Sequence, residues 1–357
     1  MTEEEKKKKY KEKLKKKQEE KAKLELEEAL EDDENEAGGF KFKLNFHVVF
    51  ISIILILLIV SLVKLFVWNV GHKSTYDPNE DTSEFDVEVL DNIIPLDPEK
   101  LAGHEDDGEL SILFLGNNPL SEERDSENGI CNLVASMTGA KVYNAGIPYS
   151  RVATVYSSFN EAYPWDYFAL PYVTDAITNN WYGGLEQAAT YEVDSAFTDA
   201  IEQMKSVDYD NLDAIVIFYD GYDYVKGSHA DNPDNPYELS TYTGGLRNAI
   251  EDLQEAWPYV RIYVMSPYYC FALDENNNFM NGSIADLGNG TLSHYLQLQL
   301  DVCMDYGVSF IDNYYGTINE DNYHDYMYDY IHLTDEGRRL VASRISRVIG
   351  LAPGVEK

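Results

Sequence analysis

Hydrophobic positions in this chain form one long block followed by a series of short runs. Residues 48–63 are all apolar apart from two Ser, and after Lys64 the block resumes at Leu65, Phe66, Val67 and Trp68. An α-helix rises about 1.5 Å per residue, so about 20–25 residues cross a hydrocarbon core about 30 Å thick. Residues 46–70 are therefore expected to form one transmembrane helix, apolar on every face as a soluble helix rarely is. Lys64 lies near one end, where its stem can carry the charge to the interface, and Trp68 is placed as an interfacial anchor. The charged stretch ahead of the block is too long for a cleaved signal peptide, so the span is expected to be retained.

The short runs follow a different rule. Residues 111–115, 214–219, 261–265 and 308–311 are brief, mostly apolar segments, residues 141–144 (Lys-Val-Tyr-Asn) resemble another short strand, and each meets a turn: Gly116, Asp220-Gly221, Ser266-Pro267, Asp312-Asn313 and, for 141–144, Ala145-Gly146. They read as buried strands. Residues 129–138, 193–207, 243–256, 293–306 and 334–349 carry helical periodicity. Strands alternating with helices predict an α/β domain with a parallel sheet covered on both faces. In such sheets a site forms at the carboxyl ends of the strands.

Charge divides the chain into zones. The 357 residues hold 63 Asp+Glu against 28 Lys+Arg, a net charge of −35. Residues 1–45 hold 13 Lys and 14 acidic residues, split into a basic block at 6–17 and an acidic block at 25–36. This suits a solvated charged tail, since no apolar a/d stripe is present. Nearly all the negative charge lies beyond residue 70. Lys41 and Lys43 flank the N-terminal end of the span, which predicts a cytoplasmic tail and an extracytoplasmic main domain at the cell membrane. Residues 71–108, rich in Asp, Glu and Pro, are expected to be a tether, residues 109–350 the folded domain and 351–357 a short C-terminal tail. Nucleic acid is excluded as a partner, because phosphate contacts need clustered Lys and Arg.

Cys131, Cys270 and Cys303 do not make a disulfide scaffold; one pair is bridged or all three are free, and Cys131 and Cys303 fit small core positions. No Cys/His spacing suits zinc, and Asp274-Glu275-Asn276-Asn277-Asn278 lacks the central Gly and closing Glu of a calcium loop. No metal or cofactor is expected.

The sharpest chemical signal is Asp329-Tyr330-Ile331-His332-Leu333-Thr334-Asp335-Glu336-Gly337. Thr334 is a fit N-cap for the last helix, with Asp335 and Glu336 favourable in its first turn. Asp329 and His332 are spaced to hydrogen-bond, and a carboxylate on one imidazole nitrogen makes the other a better base.

Asp-x-x-His followed by Leu-Thr-x-x-Gly and a C-terminal helix resembles the closing motif of the SGNH (GDSL-type) hydrolases, and the resemblance covers about residues 109–350. It implies a flavodoxin-like three-layer α/β/α sandwich and activity on esters, often acetyl groups on sugars. It also implies site positions. Gly116-Asn117-Asn118 stands where the family has Gly-Asp-Ser, so Asn118 holds the nucleophile position. Gly146-Ile147-Pro148-Tyr149 stands for Gly-x-x-Gly, with Tyr149 at the later Gly. Asp220-Gly221-Tyr222-Asp223 stands for Gly-x-Asn-Asp, with Tyr222 at the oxyanion Asn. Gly146, Tyr149 and Tyr222 are thus the oxyanion-hole positions, and His332 and Asp329 match fully as base and orienter. A carboxamide cannot form the acyl-enzyme that a hydroxyl forms. Ser121 or Ser150 is the alternative hydroxyl; water activated by His332 is another route.

Two functions follow from the resemblance. One is an ester hydrolase or acyl-transfer protein acting on cell-envelope or extracellular glycans; the other is a catalytically inactive module that binds a glycan or a surface partner. Tyr and Trp near the site could stack on sugar rings. The acidic domain would repel a strongly anionic polysaccharide, so a neutral or cation-bridged glycan is the expected ligand.

Overall fold

The structure, a computed structural model, describes residues 89–350 except 102, 103, 105, 106, 275 and 277, together with 21, 23, 54, 55, 57–61 and 64. Most of the expected charged tail (1–45) and span (46–70), the first part of the expected tether (71–88) and the C-terminal tail (351–357) lie outside the described residues. Within the expected span, Ile54, Leu55, Leu57, Leu58, Ile59 and Val60 are helical and exposed. Among the described residues, no helix is long and apolar enough to cross a membrane. The chain divides into two compact units, Met1–Glu84 and Phe85–Lys357.

The second unit is built on parallel strands β1 (Ser111–Gly116), β2 (Lys141–Gly146), β3 (Ala214–Phe218), β4 (Arg261–Met265) and, after a hairpin of β5 (Phe271–Leu273) and β6 (Phe279–Asn281), β7 (Ser309–Ile311). The order is β2-β1-β3-β4-β7, with every neighbouring pair parallel. Counting only the five parallel strands, this is the flavodoxin-like order 2-1-3-4-5. All five expected strands are present. Every residue of β1 and β3 is buried, so both faces of the sheet are covered, as the continuous apolar runs predict.

Among the described residues, the α-helices longer than five residues are α1 (Ile130–Thr138), α2 (Leu170–Thr178), α3 (Gly183–Ala189), α4 (Ala196–Ser206), α5 (Tyr242–Ala256), α6 (Leu292–Tyr306) and α7 (Asp335–Gly350). Threonines cap three of them: the Thr241, Thr291 and Thr334 hydroxyls accept from Gly244 N, His294 N and Gly337 N at 3.1, 3.2 and 3.2 Å. Helices α2 and α3 were not expected from the sequence. In α2, β-branched Val173, Thr174, Ile177 and Thr178 depress helix propensity, and burial of Leu170, Val173, Thr174 and Ile177 on one face overrides it.

The domain begins earlier than residue 109. Asn92 bridges Phe310 of β7 in both directions at 3.0 and 2.9 Å, Leu90 N donates to Asp312 Oδ2 at 2.9 Å, and Ile94 N to Ser309 Oγ at 3.0 Å. Asp91 pairs with Arg344 of α7, while Leu90 and Ile93 pack on the core. Part of the expected tether is thus a strap that covers an edge strand only three residues long, which would otherwise expose unpaired backbone groups. Cys131, Cys270 and Cys303 are all free and buried, which settles the cysteine alternatives. The Asp274–Asn278 segment is the β5–β6 turn: Asp274 Oδ1 accepts from Asn276 N and Asn278 N at 2.8 and 2.7 Å, so its carboxylate is committed to backbone.

Candidate active site

The site lies where β1, β2 and β3 end. Gly116 closes β1, and a Cβ there would stand 1.8 Å from the Phe218 carbonyl oxygen, so only glycine lets the two strand ends meet. Asn117 follows, fully buried. Its Nδ2 donates to Asp220 Oδ1 at 2.7 Å and to Ser150 O at 3.1 Å, while Asp220 N donates back to its Oδ1 at 2.9 Å.

Asn118 begins the single helical turn Asn118–Ser121. Both ends of its carboxamide are held: Nδ2 donates to Asp220 Oδ2 at 3.1 Å, and Oδ1 accepts from Tyr149 N at 2.8 Å. The nucleophile position is therefore a buried structural bridge between the ends of β2 and β3. Burial pushes the Asp220 carboxyl up to about 6, against donations from Asn117, Asn118 and Tyr222 N that pull it back.

The backbone N–H groups of the residues expected to line an oxyanion hole are engaged. Gly146 N donates to Asn144 Oδ1 at 3.0 Å, and the Gly146 carbonyl accepts from Arg124. Tyr149 adopts a left-handed φ of 57°, a conformation that glycine takes more readily, and its N–H is given to Asn118. Tyr222 N donates to Asp220 Oδ1 at 3.0 Å. The Tyr222 ring lies 6.1 Å from that of Tyr149, and Lys226 Nζ stands 5.1 Å above it. Asp223, the last residue of that block, is buried and accepts from Val152 N and Ala153 N at 2.8 and 3.2 Å. The expected backbone donors around Gly146 are thus already occupied.

The closing loop forms as expected. Asp329 Oδ2 lies 2.7 Å from His332 Nδ1, and Oδ1 accepts from Ile331 N and His332 N at 3.0 and 2.8 Å. Burial raises the Asp329 carboxyl, but these donations outweigh it and hold it below its ordinary value. Tyr328 stacks on the imidazole with ring centres 5.7 Å apart, and Tyr330 meets it edge-on at 6.0 Å.

Among the described residues, no hydroxyl is hydrogen-bonded to the His332 imidazole. Ser121 Oγ lies 3.4 Å from Asn118 O, and buried Ser150 Oγ lies 3.4 Å from Gly116 O. Neither serine is hydrogen-bonded to His332, so neither alternative nucleophile is in place. The neighbour of Nε2 is Glu122 Oε1, at 3.3 Å. The other Glu122 oxygen stands 4.0 Å from Nη1 of Arg338, whose own Nη1 donates to Leu333 O at 2.7 Å. Burial raises the Glu122 carboxyl to about 7, with His332 and Arg338 pulling it down and Asp220 and Asp329 pushing it up. Glu122 was missed from the sequence. It sits in the charged run Glu122-Glu123-Arg124-Asp125, where nothing marks it apart from its neighbours.

Among the described residues, no group of three or more His, Cys, Asp or Glu side chains is arranged to hold a metal ion. Most expected rim aromatics are core or loop anchors: Trp165, Phe168 and Phe197 pack together, and Tyr268 and Tyr269 are buried. Tyr149 and Tyr328 remain exposed beside the imidazole and the Asn118 turn.

No family model matches the chain, and no curated protein matches it. Solved structures do. A protein from Lactobacillus plantarum is 16% identical, over 68% of this chain and 96% of that one, with a TM-score of 0.45. A possible lipase from Chitinophaga pinensis is 14% identical, over 68% and 100%, with a TM-score of 0.43. Est24, a carbohydrate acetylesterase from Sinorhizobium meliloti, is 14% identical, over 68% and 99%, with a TM-score of 0.41. The strand order of this chain is flavodoxin-like, and Asn118, Tyr149, Tyr222 and the Asp329–His332 pair lie at the carboxyl ends of its strands.

Proposed function

We propose that this chain is a single-pass, membrane-anchored, extracytoplasmic SGNH-type ester hydrolase that acts on acyl esters of envelope or extracellular glycans. It works by direct attack of water rather than through an acyl-enzyme. The observation that carries the reading is the Asp329–His332 contact of 2.7 Å at the end of the sheet, with the Asn118 carboxamide held at both ends nearby. The first supplies an oriented imidazole; the second leaves no side chain at the nucleophile position to acylate. The apolar block at 48–63 and the Lys residues ahead of it support the anchor and its orientation. Exposed Tyr149 and Tyr328 support a sugar-bearing substrate, whose rings stack on aromatic faces. The acidic domain favours a neutral chain.

The test is release of acetate from acetylated xylan by the full chain in detergent, against His332→Ala. A loss of at least about 100-fold is expected; equal rates would remove the reading. A second reading, binding without turnover, is favoured by the Tyr149 N–H being given to Asn118, since an oxyanion needs that donor free. Calorimetric titration with deacetylated and acetylated glycans separates the two: tight binding with no acetate release selects the second.

A further inference from the structure

In a serine hydrolase the imidazole Nε2 faces a hydroxyl, whereas here it faces a carboxyl oxygen. Glu122 follows the turn that begins at Asn118, and its N–H donates to Asn118 O at 2.9 Å. The replaced nucleophile position and Glu122 are thus set by one piece of backbone. The Glu122 side chain is 25% exposed, so it is mostly withdrawn from solvent yet still reachable from it.

We propose that Glu122 is the general base of this site and His332 its general acid, together replacing the missing serine. The inference rests on the ester-hydrolase reading. In the ion-paired form Glu122 is a carboxylate and His332 is protonated on both nitrogens, Nδ1 donating to Asp329. Glu122 takes a proton from a water as the water oxygen bonds to the acyl carbon. The bond from the acyl carbon to the alcohol oxygen then breaks, and that oxygen takes the Nε2 proton. Glu122 finally returns its proton to Nε2 across the 3.3 Å gap. One ester and one water become one carboxylic acid and one alcohol, and no bond to the protein forms.

The groups facing Glu122 suit this exchange. His332 and Arg338 favour its ionised form, while burial, Asp220 and Asp329 oppose it, and Tyr328 closes the side of the imidazole. The resulting value of about 7 matches a base that works near neutrality.

The experiment uses the full chain in detergent with p-nitrophenyl acetate from pH 5 to 9. For the wild type the rate rises through about pH 7 as Glu122 ionises and falls again at higher pH, because the general acid must keep its proton. Glu122→Gln lowers kcat about 100-fold with little change in KM, and abolishes that rise. His332→Asn loses as much, and the double variant loses no more than the worse single. Glu122→Asp recovers part of kcat, which a purely structural role would not give. Ser121→Ala keeps the wild-type rate, and intact-mass spectrometry during turnover finds no acetyl adduct. Thermal melts check folding; if Glu122→Gln does not fold, the pH profile of Glu122→Asp decides. Wild-type kcat and an unchanged profile in the Glu122 variants, with His332→Asn inactive, overturn the role of Glu122 and leave the esterase reading standing. A wild type no faster than His332→Asn overturns the esterase reading, and the inference with it.

Discussion

The closing loop at residues 329–334 and the turn at residues 116–122 meet at the His332 imidazole, yet they are held by opposite means. In the loop the reactive side chains are fixed by near neighbours, while Tyr268 and Phe271 hold its backbone from outside at Ile331 O and Tyr330 O. Asp329 bonds to Ile331 and His332, two and three residues away, and Thr334 caps the helix that follows. The turn is wired to distant chain: Asn118 reaches Tyr149 and Asp220, 31 and 102 residues away, and Asn117 reaches Asp220 across 103. The Asp329–His332 pair is oriented by bonds within its own loop, so few distant side chains bear on it directly. A non-local device keeps its shape only if each partner stays, and here Asn, which both donates and accepts, fastens β1 to β2 and β3 where a serine would have been free to react. The intact half of the motif therefore says less about turnover than the altered half.

The largest expected effect breaks the non-local half. Asp220→Ala strands the buried Nδ2 group of Asn118 and leaves that of Asn117 only the Ser150 carbonyl, and should cost about 3 kcal/mol. Urea unfolding measures it. A loss below about 1 kcal/mol would mean that water enters and satisfies these groups, and the turn would then be looser than its hydrogen bonds imply.

Asp329→Ala tests the local half and should act the other way round. Its hydrogen bonds lie near solvent, so stability should fall by only about 1 kcal/mol. The imidazole loses its orienting partner, so ester hydrolysis should fall by at least about 100-fold. If Asp329→Ala costs more stability than Asp220→Ala, the contrast between the two regions is inverted and the loop is a structural clamp.

The same contrast explains what could be read from the sequence. The central strands β1 and β3 were legible because each is a nearly continuous apolar run buried on both faces, and β2, β4 and β7 because each is a short, mostly apolar segment that meets a turn, which are local patterns. Asp329 and His332 were legible because their contact is i to i+3. The strap at residues 90–94 was not, because its partners on β7 lie 215–222 residues on, and an acidic Pro-containing stretch reads as a linker until those partners are known. Glu122 was hidden for the same reason: its character comes from His332 and Arg338, which the local run does not announce.

The smallest expected effect isolates Glu122, the point of contact between the two regions. Its carboxyl titrates near 4.5 when unpaired and near 7 in the folded chain. Between those values the folded chain keeps a proton that the unfolded chain has lost. The stability this brings is complete below about 4.5 and is lost as pH rises through about 7. Gln stays uncharged throughout, so Glu122→Gln should match the wild type at pH 4.5 and exceed it at pH 7.5. The gain should be about 1 kcal/mol, because the carboxylate is partly solvated and its contacts with His332 and Arg338 offset some of the burial. Urea unfolding at the two pH values gives the difference. A Glu122→Gln chain less stable than the wild type at pH 7.5 would mean that the ion contacts outweigh burial, and Glu122 would then be a strut tying the 116–122 turn to the closing loop.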